Sequence, residues 1–361
     1  MAWPDYIDIK LTASIIVLLS LSYKVYSAQN SDTETAAKAK ELGKVLRTQL
    51  GSKCRFRLDN DSSATVTLSD GRRLGYAEYG QPDGKPIIML HGMPGSRLEM
   101  AWHDEHAKKI GARIIGVDRP GVGWSSPHPG RTLRSFADDV AHLAEHLELE
   151  HFAVIGTSGG GPYVMACAAY LPADKLKAVA NVCGIGDVQT FKSIGMGWPN
   201  WLGYRYAIHW TPWLFRWHAR NWPVNRTQLS EEERLETWIK DIESPSTPPK
   251  DLEAWAASDG VDFLRLSLVT GREFVKDGYD TLVQDAKLLG SKWEFRVEDI
   301  RSDLPMHLWF GKQDKNVSGY HGVEIAKRFR GEAKLHYLDE THLSLQIKYH
   351  EQIFDDLLTE W

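Results

Sequence analysis

Along most of the chain, short continuous apolar runs alternate with stretches whose apolar residues recur at helical spacing. "ATVTLSDGRRLGYAEYG" reads as two strands folded around Ser69-Asp70-Gly71. "KPIIMLHG" is an apolar strand, "LEMAWHDEHAKKIG" a helix ending at Gly111, and "ARIIGVD" the next strand. "SFADDVAHLAEHLELE" predicts a helix capped by Ser135, with Asp138 at the capping-box position and Phe136, Val140, Leu143 and Leu147 as its apolar stripe. The rhythm continues with strand "HFAVIGT", helix "GGPYVMACAAYL" and strand "LKAVANVCG". It breaks off near Gly186 and resumes near Met306 with strand "MHLWFGKQD", helix "YHGVEIAKRFRG", strand "AKLHYLDE" and a terminal helix "IKYHEQIFDDLLTEW". All-apolar strands alternating with amphipathic helices predict a parallel sheet covered on both faces.

Two regions fall outside this rhythm. Residues 185–298 are helical where their period is readable, and most of the chain's 14 tryptophans fall there. They read as a helical insertion, with 54–184 and 299–361 forming the core. Residues 29–53 read as a polar linker helix with Leu42, Val45 and Leu46 on its apolar side. Before it lies the apolar "LTASIIVLLSLSY", within segment 1–28. That run is short for a span, which takes about 20 apolar residues. A signal anchor extended to Tyr26 is the first reading, an uncleaved membrane-associated helix the second and a cytosolic packing helix the third. Membrane association through the N-terminus is therefore expected, with secreted and cytoplasmic locations as alternatives. Basic residues after the segment (Lys24, Lys38, Lys40, Lys44, Arg47) favour a cytoplasmic side, whereas sequons at Asn60, Asn225 and Asn316 point the other way.

Composition narrows the partners. A net charge of −5 is too mild to suggest nucleic acid or an anionic membrane surface as partner and leaves a small-molecule substrate as the expected one. The three cysteines, Cys54, Cys167 and Cys183, form no CxxC pair and read as free thiols. His142 and His146 are an i,i+4 pair without a third ligand nearby, so no metal site is read from them.

The chemistry centres on "GTSGGG", Gly156–Gly161, between a strand and a helix. Pro162 stands where a phosphate-binding loop needs lysine, and the glycine spacing is wrong for a dinucleotide turn. GxSxG remains, the sharp turn that exposes a serine nucleophile, here Ser158. A serine needs a base, and the base an orienting acid. Asp314 and His342 follow successive strands, in the chain order known for this turn. Asp187 is the rival acid. The Gly159 N–H and the Met93 N–H of "HGMPGS" are the expected oxyanion donors. Trp210, Trp213 and Trp217 are candidate pocket residues, although packing against the sheet is the favoured reading for such a stripe.

Taken in order, "HGMPGS", "DRPGVGWSS", "GTSGGG", "WFGKQD" and "THLSL" resemble the α/β-hydrolase fold superfamily's single-domain, lidded serine hydrolases, from about Phe56 to the C-terminus. The resemblance implies an eight-stranded, mostly parallel sheet with a helical lid over the serine, and ester or acyl-bond hydrolysis through an acyl-enzyme without cofactor or metal. Ser158 argues against the dehalogenases and epoxide hydrolases, which carry Asp there. Proline iminopeptidases share the layout but usually follow the serine with tryptophan, where this chain has Gly159. An aminopeptidase, with Glu231–Glu233 holding a substrate amine, and a non-hydrolytic ligand receptor are the alternatives.

Overall fold

The computed structural model describes residues 33–361, with Ser193 and Thr227 excepted. The apolar segment 1–28 and the first residues of the linker lie outside the described residues. No helix among those described is long and apolar enough to cross a membrane.

Eight strands form one sheet in the order β1-β2-β4-β3-β5-β6-β7-β8. β1 (Ser63–Thr67) and β2 (Arg73–Gly80) make the hairpin, and β2 also runs antiparallel to β4 (Ala112–Val117). The remaining pairs are parallel: β3 (Lys85–Leu90) beside β4 and β5 (Phe152–Thr157), then β6 (Leu176–Val182), β7 (Met306–Gly311) and β8 (Ala333–Leu338). The hairpin turns where Gly71 takes φ +84°, and Asp70 accepts the Arg72 N–H at 3.1 Å. The apolar runs of β3 to β7 are largely buried on both sides, whereas the edge strands β1 and β8 are mostly half-buried. In β3, Ile88 and Leu90 enter one core and Ile87 and Met89 the other, following the two-residue period of a strand.

The order also locates the site. After β3 the chain moves to one side, to β4, and then returns to the other side of β3 as β5. The loops leaving β3 and β5 therefore diverge over a crevice at the C-terminal edge, where open α/β sheets bind ligands.

Three local expectations change. The helix Leu133–His146 is capped by Thr132, and Ser135 is its capping-box partner. Thr132 is already extended and accepts the Ser135 N–H, so the helix begins earlier than its apolar stripe. The final helix spans His342–Leu358 and starts at His342 itself, capped by Thr341. The helix Thr33–Thr48 is docked rather than free: Ala39 and Leu46 pack with Leu235 and Ile239, while Val45 is 47% exposed. Arg47 clamps it by bonding Glu236 and Glu243, both on or beside the helix Glu231–Ile242.

The chain between β6 and β7 is helical, and Glu231–Ile242, Val261–Phe274 and Asp280–Leu289 are its longer members.

Candidate active site

Ser158 follows β5 directly and sits in the left-handed region at φ +53°. A non-glycine residue there costs about 1–3 kcal/mol, held by the surrounding packing. Glycines provide that packing. A Cβ on Gly156 would lie 2.7 Å from the Val164 Cβ, and one on Gly160 would run into the Leu90 carbonyl. Gly161 and Gly184 meet each other with no side chain between them, a close approach the motif alone does not reveal.

His342 is the first residue of its helix, and this places its ring over the serine. Its Nε2 lies 3.0 Å from Ser158 Oγ, and its Nδ1 lies 2.6 Å from Asp314 Oδ2. Asp314 is 2% exposed, and its other oxygen accepts the N–H groups of Asn316 and Val317, each at 2.8 Å. A carboxylate so held accepts from Nδ1–H, which leaves Nε2 free to take the serine proton. Burial alone would lower the basicity of His342, but the charge and hydrogen bond of Asp314 outweigh it and raise the pKa above its usual value, with a smaller contribution from Asp251. Asp251 belongs to the helix Pro249–Ala257 and is hydrogen-bonded by Thr341 Oγ1. The rival acid Asp187 is otherwise occupied: it accepts from the Gln189 and Thr190 N–H groups and the Thr190 hydroxyl.

Met93 and Gly159 are neighbours. A Cβ on Gly159 would lie 3.2 Å from the Met93 nitrogen and 2.9 Å from its Cβ. The loop carrying Met93 is held from below. Arg119 donates to the His91 and Gly92 carbonyls, the latter at 2.8 Å, and is bound by Asp285 at 2.8 Å. Asp285 also takes Arg131 at 3.0 Å and the Tyr163 hydroxyl at 2.5 Å, with all four side chains buried. In a trans peptide the carbonyl and the following N–H point opposite ways. Pulling the Gly92 carbonyl toward Arg119 therefore turns the Met93 N–H away from it. None of this cluster was named from the sequence. Arg119 lies in the "DRPG" stretch, but its partner is 166 residues away. Nothing in local spacing announces such a pair.

A cavity of about 450 Å³ opens over Ser158 and His342. Its walls are apolar and aromatic, with Trp102, Trp222, Trp238, Trp255, Phe263 and Phe354 among them. Glu99, His103 and Asp241 add polar groups. Burial pushes the Glu99 carboxyl up to about 7, against the pull of Arg119 and the Gly92 N–H.

The candidate pocket tryptophans are elsewhere, and they are not packed on the sheet either. Trp210, Trp213 and Trp217 are 81%, 51% and 54% exposed and line no part of this cavity. In the helix Pro212–Ala219 it is Phe215 and Ala219 that turn inward, beside Val122 and Phe274. That helix carries apolar residues on both sides, so its periodicity did not tell which face was inner. Glu231–Glu233 are also outside the cavity wall: Glu233 closes the cap with Ser230, and Glu231 lies 3.4 Å from Arg265.

The α/β-hydrolase fold family model matches residues 85–345, and the chain belongs to that family. Over 119 residues it is 38% identical to a non-heme chloroperoxidase of Streptomyces lividans, covering 32% of this chain and 42% of that one. A proline iminopeptidase of Arabidopsis thaliana is 32% identical over 108 residues, covering 29% and 28%. A bifunctional esterase/perhydrolase of Acinetobacter calcoaceticus is 34% identical over 116 residues, covering 32% and 42%. These matches span less than half of each relative. Among solved structures, a hydrolase from Pseudomonas aeruginosa PA01 superposes with TM-score 0.55 at 18% identity, covering 83% of this chain and 99% of that one. An enol-lactonase from Burkholderia xenovorans LB400 gives 0.54 at 18%, covering 82% and 100%. At such identities the likeness is one of fold.

Proposed function

We propose that the protein is a serine hydrolase that cleaves a carboxylic ester or related acyl bond of a small, apolar substrate. The observation that carries this reading is the line Ser158 Oγ, His342 Nε2, His342 Nδ1, Asp314 Oδ2, with separations of 3.0 and 2.6 Å at its two hydrogen bonds. His342 takes the serine proton as Ser158 Oγ bonds to the carbonyl carbon. The carbonyl oxygen, now negative, is received by the Met93 and Gly159 N–H groups. The tetrahedral adduct then expels the alcohol, which leaves with the proton from His342, and an acyl-Ser158 remains. Water attacks it by the same route in reverse, so neither metal nor cofactor is part of the scheme. The helical insertion acts as the lid that roofs the cavity, and segment 1–28 as a membrane-associating element.

Fluorophosphonate labelling tests this. The folded protein takes up the probe, and Ser158→Ala does not; a folded wild type that remains unlabelled defeats the reading.

One observation favours a second reading, an aminopeptidase, the activity named for several relatives. Glu99 and Asp241 stand in the cavity wall, where a substrate ammonium would need an acid. Amino-acid arylamides against p-nitrophenyl esters of graded chain length separate the two. Preference for the arylamide, lost in Glu99→Gln, selects the aminopeptidase.

A further inference from the structure

Between Asp187 and Glu231 the chain runs 43 residues without one acidic side chain. That run carries five Lys or Arg and six Trp, in a protein whose net charge is −5. A single-signed, aromatic stretch within an acidic protein is a local reversal of the whole molecule's character.

The structure turns much of this stretch outward. Among the described residues, seven of the eight exposed large apolar side chains lie between Ile194 and Trp217. The helix Pro212–Ala219 shows how this arises. Its inner face places Phe215 and Ala219 against the body of the protein. Trp213 and Trp217, one turn apart, occupy the opposite face and are half exposed, and Trp210 just before them is 81% exposed. The helix thus pairs a core-facing apolar side with an outer apolar side left about half exposed.

The charges around these rings are cationic. Lys192 and Arg220 are exposed, and the Arg220 guanidinium lies 5.3 Å from the Tyr279 ring centre. Arg205 donates to the Val188 carbonyl and stands 5.6 Å from the Tyr206 ring centre. An acid from outside, Asp280, meets the stretch and pairs with Arg216.

Exposed apolar patches of this kind mark interaction surfaces. Indole rings sit well at the headgroup level of a bilayer, where one edge is wet and the rest is apolar. Basic side chains beside them are attracted to anionic headgroups, and a stretch without carboxylates of its own adds no repulsion beyond that of Asp280, which is paired with Arg216. Reversible membrane contacts gain strength from a second element, and the chain has one in its apolar run Leu11–Tyr23.

We propose that the stretch Ile194–Arg220 is a docking surface for an anionic phospholipid bilayer. The same run of chain supplies Trp222 to the cavity wall a few residues later, so the docked surface and the wall over Ser158 belong to one segment.

The test is co-sedimentation of the full chain with phosphatidylcholine vesicles, with and without phosphatidylserine. The protein binds the phosphatidylserine vesicles more tightly, and binding weakens as salt is added. Trp210→Ser, Trp213→Ser and Trp217→Ser combined weaken binding by about tenfold or more while leaving the thermal midpoint in place, because the three rings are exposed. Lys192→Glu with Arg220→Glu removes the preference for phosphatidylserine. The proposal is overturned if the triple variant binds as the wild type does, which would place membrane contact elsewhere, such as in Leu11–Tyr23. It is overturned equally if the wild type binds neither vesicle, or if it self-associates without binding them and the triple variant is monomeric, which would make the surface a contact between copies.

Discussion

In the proposed mechanism His342 works between the Asp314 carboxylate and a serine that must give up its proton. Its raised pKa reflects Asp314 overcoming the effect of burial. A general base must be neutral, so activity falls as pH drops through that pKa, and the fall begins above the ordinary histidine value of about 6.5. In Asp314→Asn the raising charge is gone: kcat drops by about 10³- to 10⁴-fold, and the acid limb of what remains moves to lower pH, as a pH–rate profile would show. Glu99 provides a second residue-scale prediction. Its carboxyl is raised to about 7 by burial, so between about 4.3 and 7 the folded chain holds a proton that the unfolded chain has released. The stability this group contributes is complete below that window and is lost as pH rises through it. Glu99→Gln keeps the acceptor for the Gly92 N–H but cannot ionise, so its melting temperature gains on the wild type from about pH 4 to about pH 7 and the gain levels off above that. An unchanged difference across that range would contradict the assignment. Of these residues, Ser158, Asp314 and His342 were legible because each follows closely on a strand whose end is marked by glycine or by the close of an apolar run. Glu99 was not, because the burial that raises it and the Arg119 charge that opposes this arise only when the chain folds.

At the scale of elements, the loop after β3 owes its shape to a cluster drawn from four places: the stretch after β4 (Arg119), the approach to the helix Leu133–His146 (Arg131), the helix after Ser158 (Tyr163) and the helix Asp280–Leu289 (Asp285). Arg119 anchors the peptide whose N–H is assigned to the oxyanion. Such a donor matters chiefly in the transition state and is worth about 10²–10³ in kcat when lost. Arg119→Gln therefore lowers kcat by up to about 10²-fold with a smaller change in KM. A loss confined to KM or to thermal stability would reduce Arg119 to a packing role. The helix starts follow the same logic of local signal against tertiary context. The capping-box pattern was legible near Ser135, but the first turn came earlier because Thr132 was already extended and able to cap. His342 was read as a loop residue, since the apolar stripe of its helix begins later; Thr341 draws the helix back over it by accepting the Ser344 N–H at 3.0 Å.

Across the whole molecule, the helix Thr33–Thr48 is where a polar composition concealed a packed element. Leu46 is 1% exposed and lies in the same apolar cluster as Leu235 and Ile239. Leu46→Ala should destabilise the protein by about 2–5 kcal/mol in urea unfolding, as truncation of a core leucine does; a free linker helix would show almost no change. Arg47 adds less than its two partners suggest, because it is about one-third exposed and its ion pairs are screened.

The sequence by itself determined the sheet, its strands and the turns that carry the candidate chemistry. Strand burial and glycine-bearing turns are local properties, written in runs of a few residues. Tertiary structure decided what depends on distant partners: that Asp285 reaches Arg119, that Glu99 lines a cavity, that a polar helix docks on the helix Glu231–Ile242. It also decided that Trp210, Trp213 and Trp217 face outward. A helix apolar on both sides has no inner face until the rest of the protein provides one.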